Sequence, residues 1–213
     1  YQALRNQVGE NGTIIVPTFT YSYRRNQIYD IRKTKAPNEI GVFSEFVRNR
    51  GHAVRSADPL FSMAAEGPKA ENLMKRDSLY CFGANSIYEK IFQENAVILG
   101  FGISYSTGLA AFMHLEKLAK VDYRYDLEFK GVSIDHDGNK YNDKAIHYAR
   151  NEELYPYGKT DRERIGAAME RYGVATRIDY GSGKHIALRT REFKDFVLTQ
   201  LNKEPHIMFN TTP

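Results

Sequence analysis

A histidine in the middle of a predicted helix is the side chain of this sequence best suited to acid–base chemistry. His114 lies among the apolar residues 110–115, and an imidazole, whose pKa is near neutral, is the usual general base of enzymes. The nearest acid along the chain, Glu116, is only two positions away, so the two side chains leave different sides of a helix. A catalytic His114 therefore needs an acid partner from elsewhere in the fold, and a packed core histidine is the alternative interpretation.

A segment rich in glycine and hydroxyl groups precedes His114 and could bind an anion. Its members are Gly100, Gly102, Ser104, Ser106 and Thr107. The segment follows a predicted buried strand at 96–100 and leads into a helix predicted for 107–119, where unpaired backbone N–H groups can bind a phosphate or an oxyanion. The patterns Gly-x4-Gly-Lys-Ser/Thr and Gly-x-Gly-x-x-Gly are absent. An ordinary strand-to-helix turn is therefore the other interpretation.

Three other clusters carry reactive residue types but have a simpler interpretation. Residues 135–139, Asp-His-Asp-Gly-Asn, offer oxygen ligands but lack the further spaced acids of a calcium loop, so a hairpin turn is favoured. Residues 181–185, Gly-Ser-Gly-Lys-His, resemble a phosphate-binding loop and are also typical of a turn between strands. Cys81 lies between Tyr80 and Phe82 with no histidine nearby, which favours a buried thiol over a nucleophile.

The composition is that of a globular protein and excludes several function classes. The chain has 213 residues, of which 42% are hydrophobic and 26% charged, and a formal net charge of +4. No apolar run approaches the ~20 residues that span a bilayer, and we expect no signal peptide, because the first residues lack its apolar stretch. A single cysteine excludes an internal disulfide framework and a zinc–cysteine cluster. We therefore expect a cytoplasmic protein whose mildly basic surface attracts phosphates, either of nucleic acid or of a cofactor.

The order of the predicted elements indicates an α/β fold. Residues 96–119 have the pattern of a strand, a turn and a helix, a unit whose strand ends commonly carry ligands. Asp137-Gly138 and residues 181–183 predict two antiparallel hairpins. Further helices are predicted at 1–9, 41–50, 69–76, 87–93, 161–171 and 190–201, with a short buried strand at 13–16 and a long polar loop at 18–38. We expect a mixed sheet flanked by helices (α/β/α) with additional antiparallel hairpins.

Several stretches of the sequence match the motifs of one known family in chain order. Residues 12–20, Gly-Thr-Ile-Ile-Val-Pro-Thr-Phe-Thr, resemble a Gly-Thr-apolar-Pro-Thr-Phe-Thr signature, and residues 55–67 resemble the pattern Arg-Ser-x-His-Pro-x-x-Ser-x-Ala-Ala-x-Gly. Shorter matches occur at 41–45, at 82–86, from Leu99 to Glu116, and at 121–124. These matches cover nearly the whole chain. Through these motifs the sequence resembles the aminoglycoside 3-N-acetyltransferase family.

The resemblance implies transfer of an acetyl group from acetyl-CoA to an amine of an amino sugar, without a metal. It implies that His114 takes the proton of the attacking amine, because an amine must be neutral to attack a thioester. Glu116 matches the family's acid by its position in the motif, and Asp58 is the second candidate for an acid partner or an amine binder. Thr107 is a candidate donor to the developing oxyanion.

The same resemblance implies where the two substrates bind. Acetyl-CoA is expected to contact Pro17, Thr18, Phe19, Thr20, Gly102, Ser104 and Ser106. The acceptor is expected to contact Tyr21, Ser56 and Ser62. An aminoglycoside acceptor would make the protein an antibiotic-resistance enzyme. Aminoglycosides are polycations, however, and no acidic cluster adjoins the matched motifs, which mildly favours a cell-envelope sugar or another amine.

Three features depart from the family pattern. The chain begins late in a helix that the family places after a strand and a loop, so residues 1–213 are expected to form a single domain that lacks those elements. Asp58 stands where the family has histidine, and Glu116 follows His114 by two positions instead of about one helical turn. An alternative is therefore a non-catalytic CoA- or sugar-binding protein that retains the fold. We expect no nucleic-acid partner, because no recognition motif is present, and no membrane partner, and we leave a homodimer open.

Overall fold

The computed structural model describes residues 1–181 and 183–210 and has a mixed α/β fold, which confirms the expected class. The helices are α1 (Gln2–Val8), α2 (Val42–Arg48), α3 (Ala70–Met74), α4 (Ile87–Gln93), α5 (Ala111–Ala119), α6 (Glu163–Arg171) and α7 (Thr190–Lys203). The strands are β1 (Ile14–Pro17), β2 (Tyr29–Asp30), β3 (Val54–Arg55), β4 (Met63–Glu66), β5 (Val97–Phe101), β6 (Arg124–Ile134), β7 (Lys140–Arg150), β8 (Lys159–Thr160), β9 (Ala175–Tyr180), β10 (Gly183–Arg189) and β11 (Phe209–Asn210).

The chain forms two compact units. The first consists of Tyr1–Cys81, Asn85–Ile87 and Leu127–His147. The second consists of Phe82–Ala84, Tyr88–Asp126 and the chain from Tyr148 onward. The expectation of a single domain over residues 1–213 stays a prediction.

An antiparallel sheet with β4 between β1 and β3 organises the first unit. Alternate residues of β1, Ile14 and Val16, are buried, as the two-residue period of a strand requires. They form a core cluster with Val47 of α2 and Ala64 of β4. A second sheet has the order β2–β6–β7, with β2 parallel to β6. Strands β6 and β7 flank Asp137-Gly138, so the predicted hairpin is confirmed.

The second unit contains the antiparallel sheet β5–β10–β9, the small sheet β11–β8 and the helices α5, α6 and α7. Its core includes Leu115, Ile165, Phe193 and Val197, all with no exposed surface. The predicted hairpin at 181–183 is confirmed by the pairing of β9 with β10, although Ser182 lies outside the described residues. The helix expected to start at residue 107 begins only at Ala111, because Gly108 has a φ of +91°, which a right-handed helix does not accommodate.

The strand predicted at 96–100 is present as β5, but the prediction that it is buried is wrong. Val97, Leu99 and Phe101 are 50%, 44% and 60% exposed. Among the described strands, β5 lies at the edge of its sheet and pairs only with β10, so one row of its side chains faces outward. None of the helices within the described residues is both long and apolar enough to cross a membrane.

Candidate active site

His114 lies in a closed aromatic environment on α5. Its side chain is 1% exposed, and its ring centroid lies 6.3 Å from that of Tyr88 and 4.8 Å from that of Phe92. The backbone N–H of Gly83 donates a hydrogen bond to Nδ1, with 3.2 Å between the nitrogens. Burial, and then the positive charge of Lys194, lower the pKa of His114 from 6.5 to about 4. The imidazole is therefore neutral at physiological pH, the state in which it can accept a proton.

Helix α5 positions the ring through its other buried side chains. Phe112 and Leu115 have no exposed surface, and the ring of Phe112 contacts that of Phe193 of α7 edge-on, with 4.8 Å between centroids. Such packing orients the helix and, with it, the direction in which His114 leaves the backbone.

Glu116 is fully buried in a cluster of opposite charge. Its Oε1 accepts a hydrogen bond of 3.0 Å from the Tyr123 hydroxyl. Its Oε2 lies 3.1 Å from Nη2 of Arg162 and 2.9 Å from Nε of Arg124. Burial, then the negative charge of Glu116, raise the pKa of Tyr123, so that the hydroxyl stays protonated. Within the described residues, the carboxylate is thus bound by two guanidinium groups and a phenol, and none of its recorded partners is His114.

The turn before α5 is closed by its own hydrogen bonds. Each of four backbone N–H groups has an acceptor: Gly102 donates to the Lys184 carbonyl at 2.8 Å, Ser104 to Thr107 Oγ1 at 3.4 Å, Ser106 to Glu163 Oε1 at 2.9 Å, and Thr107 to Ser104 Oγ at 3.1 Å. The expectation that these four residues offer unpaired N–H groups is wrong, because the Lys184 carbonyl of β10 and side chains of the turn and of α6 accept from them. Thr107 is also exposed and lies four residues before the start of α5.

The segment at the end of β1 belongs to the first unit and is hydrogen-bonded to the segment that precedes β4. Thr18 has no exposed surface, and its N–H donates to the Ser62 carbonyl at 2.8 Å. The Thr20 hydroxyl donates to the Pro59 carbonyl at 2.9 Å. Phe19 is buried, whereas Pro17, the last residue of β1, is exposed. The Thr18 hydroxyl donates to Ser62 Oγ at 3.2 Å, so the hydroxyl groups of Thr18 and Thr20 both serve the fold in this structure.

Arg55 is a buried cation that the candidate residues did not include. Its Nη2 donates to the Thr18 carbonyl at 2.9 Å and its Nε to Thr18 Oγ1 at 3.1 Å, while Nη1 donates to the Thr34 carbonyl at 2.6 Å. Burial lowers its pKa, but the group remains a cation. One arginine thus ties β3 to the segment after β1 and to the long loop. The sequence signal for it was the arginine that opens the matched motif at 55–67.

Asp58 closes the tight loop between β3 and β4. It is 6% exposed, and its Oδ1 accepts hydrogen bonds from the N–H groups of Leu60 at 2.8 Å and Phe61 at 2.9 Å. The thiol of Cys81 also donates to this oxygen, at 3.7 Å. Nearby, Ser56 Oγ accepts the Met63 N–H at 3.0 Å. These are the bonds of a side-chain-closed turn, so Asp58 and Ser56 have structural partners in the first unit.

Tyr21 lies in an aromatic cluster with an unusual backbone. Its φ is +54°, a left-handed conformation that is rare for a bulky residue. Its ring makes edge contacts with Phe19 and Phe61, at centroid distances of 6.2 and 5.4 Å. Phe61 in turn stacks on His147 at 5.0 Å. Sequence reasoning missed His147, because it lies on β7, more than 80 residues from the matched motif around Phe61.

Residues 1–202 match the family model described as aminoglycoside 3-N-acetyltransferase. The chain belongs to this family. It is accordingly a CoA-dependent N-acetyltransferase of a family of antibiotic-resistance enzymes, and acetyl-CoA is its acetyl donor. No curated protein matches the chain in the corresponding comparison.

Solved structures of aminoglycoside acetyltransferases share the fold. AAC(3)-Xa is 20% identical, with a TM-score of 0.78 over 94% of this chain and 78% of that protein. AAC-IIIb in its binary complex with CoASH is 21% identical, with a TM-score of 0.76 over 94% and 81% of the two chains. A mutant of AAC(3)-IVa in complex with a gentamicin is 21% identical, with a TM-score of 0.76 over 97% and 75%.

Within residues 1–181 and 183–210, no group of three or more histidine, cysteine, aspartate or glutamate side chains is placed to hold a metal ion.

The candidate residues divide between the two units. The second unit contains His114, Glu116, Thr107, Gly102, Ser104 and Ser106. The first unit contains the remaining candidates, Pro17, Thr18, Phe19, Thr20, Tyr21, Ser56, Asp58 and Ser62.

Proposed function

We propose that this acetyltransferase acts on a primary amine of an amino sugar, with His114 as the general base. The observation that carries the proposal is the buried imidazole of His114, whose Nδ1 accepts a hydrogen bond from the Gly83 N–H. The reaction forms a C–N bond and breaks the C–S bond of the thioester, while one proton leaves the amine and one goes to the CoA thiolate. An imidazole that is neutral at the working pH can accept the first proton and supply the second.

The low pKa of His114 suits a base that must stay unprotonated before the acceptor binds. At pH 7, a ring with a pKa of about 4 is almost entirely neutral. Its basicity is correspondingly weak while it is buried and near Lys194. A base of this kind needs support for the imidazolium that forms in the reaction. In the part of the chain that the structure describes, the recorded contacts of the Glu116 carboxylate are with Arg124, Arg162 and Tyr123. We therefore propose that Glu116 positions α5, and that the acid partner for the imidazolium lies elsewhere.

The donor contacts follow from the charges around the turn at 102–107. The Glu163 carboxylate accepts the Ser106 N–H there, and an anion repels a phosphate. We propose that Gly102, Ser104 and Ser106 contact the uncharged pantetheine part of acetyl-CoA. Pro17–Thr20 remain the proposed contacts in the first unit, and Thr107 the proposed donor to the oxyanion.

The acceptor is an amino sugar, and two sources remain to be separated. Aminoglycoside complexes of similar folds, such as that of AAC(3)-IVa with a gentamicin, support an aminoglycoside. No acidic cluster adjoins the matched motifs in the sequence, which favours a less cationic sugar. We propose Tyr21, Ser56 and Ser62 as the residues on the acceptor side.

Release of the CoA thiol by the full-length protein tests this function. Acetyl-CoA is offered with gentamicin, with sisomicin and with a nucleotide-linked amino sugar, and free thiol is read with Ellman's reagent. We expect turnover with at least one of these amines and a loss of about 10²–10⁴-fold in kcat/KM in His114→Asn, which retains an acceptor for the Gly83 N–H. His52→Asn, at an exposed position, is the matched control. A folded His114→Asn variant with wild-type turnover would exclude His114 as the base.

A further inference from the structure

The hydrogen bond between Gly83 and His114 determines which ring nitrogen carries the proton. A backbone N–H can donate only to a nitrogen that has a free lone pair. Nδ1 accepts from Gly83 at 3.2 Å, so Nδ1 is unprotonated and the neutral ring carries its hydrogen on Nε2. In this tautomer the ring donates through Nε2. The one nitrogen lone pair that can accept a proton, on Nδ1, already accepts the hydrogen bond from Gly83.

A general base needs the opposite tautomer at Nε2. For Nε2 to accept a proton from an amine, the hydrogen must sit on Nδ1, where it would point at the Gly83 N–H. The ring itself has little room to turn, because it is 1% exposed and lies against Tyr88 and Phe92. A change of tautomer would therefore require the peptide between Phe82 and Gly83 to turn instead of the ring.

Gly83 has the backbone conformation that such a movement requires. Its φ is +91°, and reversing the peptide that precedes a residue changes φ by about 180°, to about −90°; only glycine adopts both values without strain. A Cβ at this position would lie 3.0 Å from Cγ of Lys117, so the Lys117 side chain would have to shift slightly. The positive φ is the stronger reason for the glycine, because a side chain there is strained whatever the space. After reversal, the Phe82 carbonyl would face Nδ1 and accept its hydrogen.

We propose that Gly83 is a positioning residue that sets the tautomer of His114. Its N–H holds the ring as the Nε2–H donor, and reversal of the Phe82–Gly83 peptide favours the Nδ1–H tautomer. Nε2 then releases its hydrogen to solvent water, Nδ1 takes one from water, and the freed Nε2 lone pair can accept the amine proton. The inference rests on the proposed role of His114 as the base. It adds a second group, 31 residues away in the sequence, that controls when this base can act.

Long-range ¹H–¹⁵N spectra of the full-length protein labelled at histidine nitrogens test the proposal without relying on turnover. At pH 7 we expect the wild-type His114 ring to show a protonated Nε2 and an unprotonated Nδ1. In Gly83→Ala, the alanine avoids positive φ, so we expect the Nδ1–H tautomer to dominate. Gly173→Ala is the control, because Gly173 also has a positive φ, +70°, but has no atom near its Cβ position. In this variant we expect the His114 ring to have the same tautomer as in the wild type.

Kinetics of the same variants separate this inference from the proposed function. We expect Gly83→Ala to raise kcat at least ~10-fold, because its ring is already in the proton-accepting tautomer, while KM for acetyl-CoA stays within ~3-fold. A wild-type ring protonated on Nδ1 would overturn the inference even if turnover is normal, as would an unchanged tautomer in folded Gly83→Ala. If the wild-type ring shows the predicted tautomer but the protein turns over none of the amines, the contact between Gly83 and His114 is supported and the proposed function is rejected. If Gly83→Ala does not fold, the wild-type spectrum alone decides.

Discussion

The Glu116 carboxylate and the Arg162 guanidinium form a buried ion pair, with 3.1 Å between Oε2 and Nη2. Glu116 has no exposed surface and Arg162 is 5% exposed. The carboxylate also binds Arg124, so one anion compensates two cations. Removing one member of such a cluster leaves an uncompensated buried charge. The free-energy cost of that charge is much larger than the net stabilisation that the intact pair provides.

Glu116→Gln is expected to lower the free energy of unfolding by about 3–5 kcal/mol, because Arg162 and Arg124 lose their counter-charge. Urea unfolding followed by circular dichroism measures the change. Glu153→Gln, at an exposed position, is the control and should stay within ~0.5 kcal/mol of the wild type. A Glu116→Gln protein that is as stable as the wild type but inactive would assign Glu116 to chemistry instead of to the fold.

His114 should make stability depend on pH in the acid range. The unfolded ring binds a proton as the pH falls through 6.5, whereas the folded ring does so only near pH 4. Between these values the unfolded state binds more protons, so the contribution of His114 is complete above pH 6.5 and is lost as the pH falls to about 4. The loss is about 3 kcal/mol.

The measurement compares the free energy of unfolding of the wild type and of His114→Asn between pH 4 and pH 7. Carboxylates titrate in both proteins, so only the difference between the two curves reports the histidine. We expect the wild type to lose more stability than the variant over this range. Parallel curves would show that the folded ring titrates with an ordinary pKa.

Arg55→Lys should destabilise the first unit, because a lysine cannot replace the planar set of donors that reaches Thr18 and Thr34. Several buried acceptors lose their partner, and we expect a loss of about 2–4 kcal/mol, measured as a lower midpoint of urea unfolding. Arg24→Lys, an exchange at an exposed site, serves as the control. Equal midpoints for both variants would contradict the role of Arg55.

Cys81 should be inert in the native protein. Burial, then the negative charge of Asp58, raise the pKa of its thiol well above the usual value, and only the thiolate reacts readily. Ellman's reagent is expected to detect no protein thiol at pH 8 before denaturation and one thiol per chain in urea. Rapid reaction of the folded protein would show that the Cys81 environment opens, and it would also require a correction to the CoA-release assay.

Local sequence signals predicted most of the elements and misjudged their surroundings. Asp137-Gly138 predicted the hairpin of β6 and β7, since a tight turn depends on neighbouring residues. The apolar run at 96–100 did form β5, yet its exposure follows from an edge position that depends on the distant partner β10. The turn at 102–107 has the expected residue types, but Glu163 from α6 occupies one of its N–H groups.

The sequence by itself determined the family, the α/β class, and the place of His114 and Glu116 on one helix with side chains that diverge. These properties depend on motif order and on spacing within a single element, which can be read along the chain. Tertiary structure alone decided that Gly83 holds the ring of His114 and that Arg124 and Arg162 hold Glu116. Gly83 and Arg162 lie 31 and 46 residues from their partners, and even Arg124 reaches Glu116 from a different element, β6. The burial that shifts the pKa of His114 likewise exists only once the chain has packed.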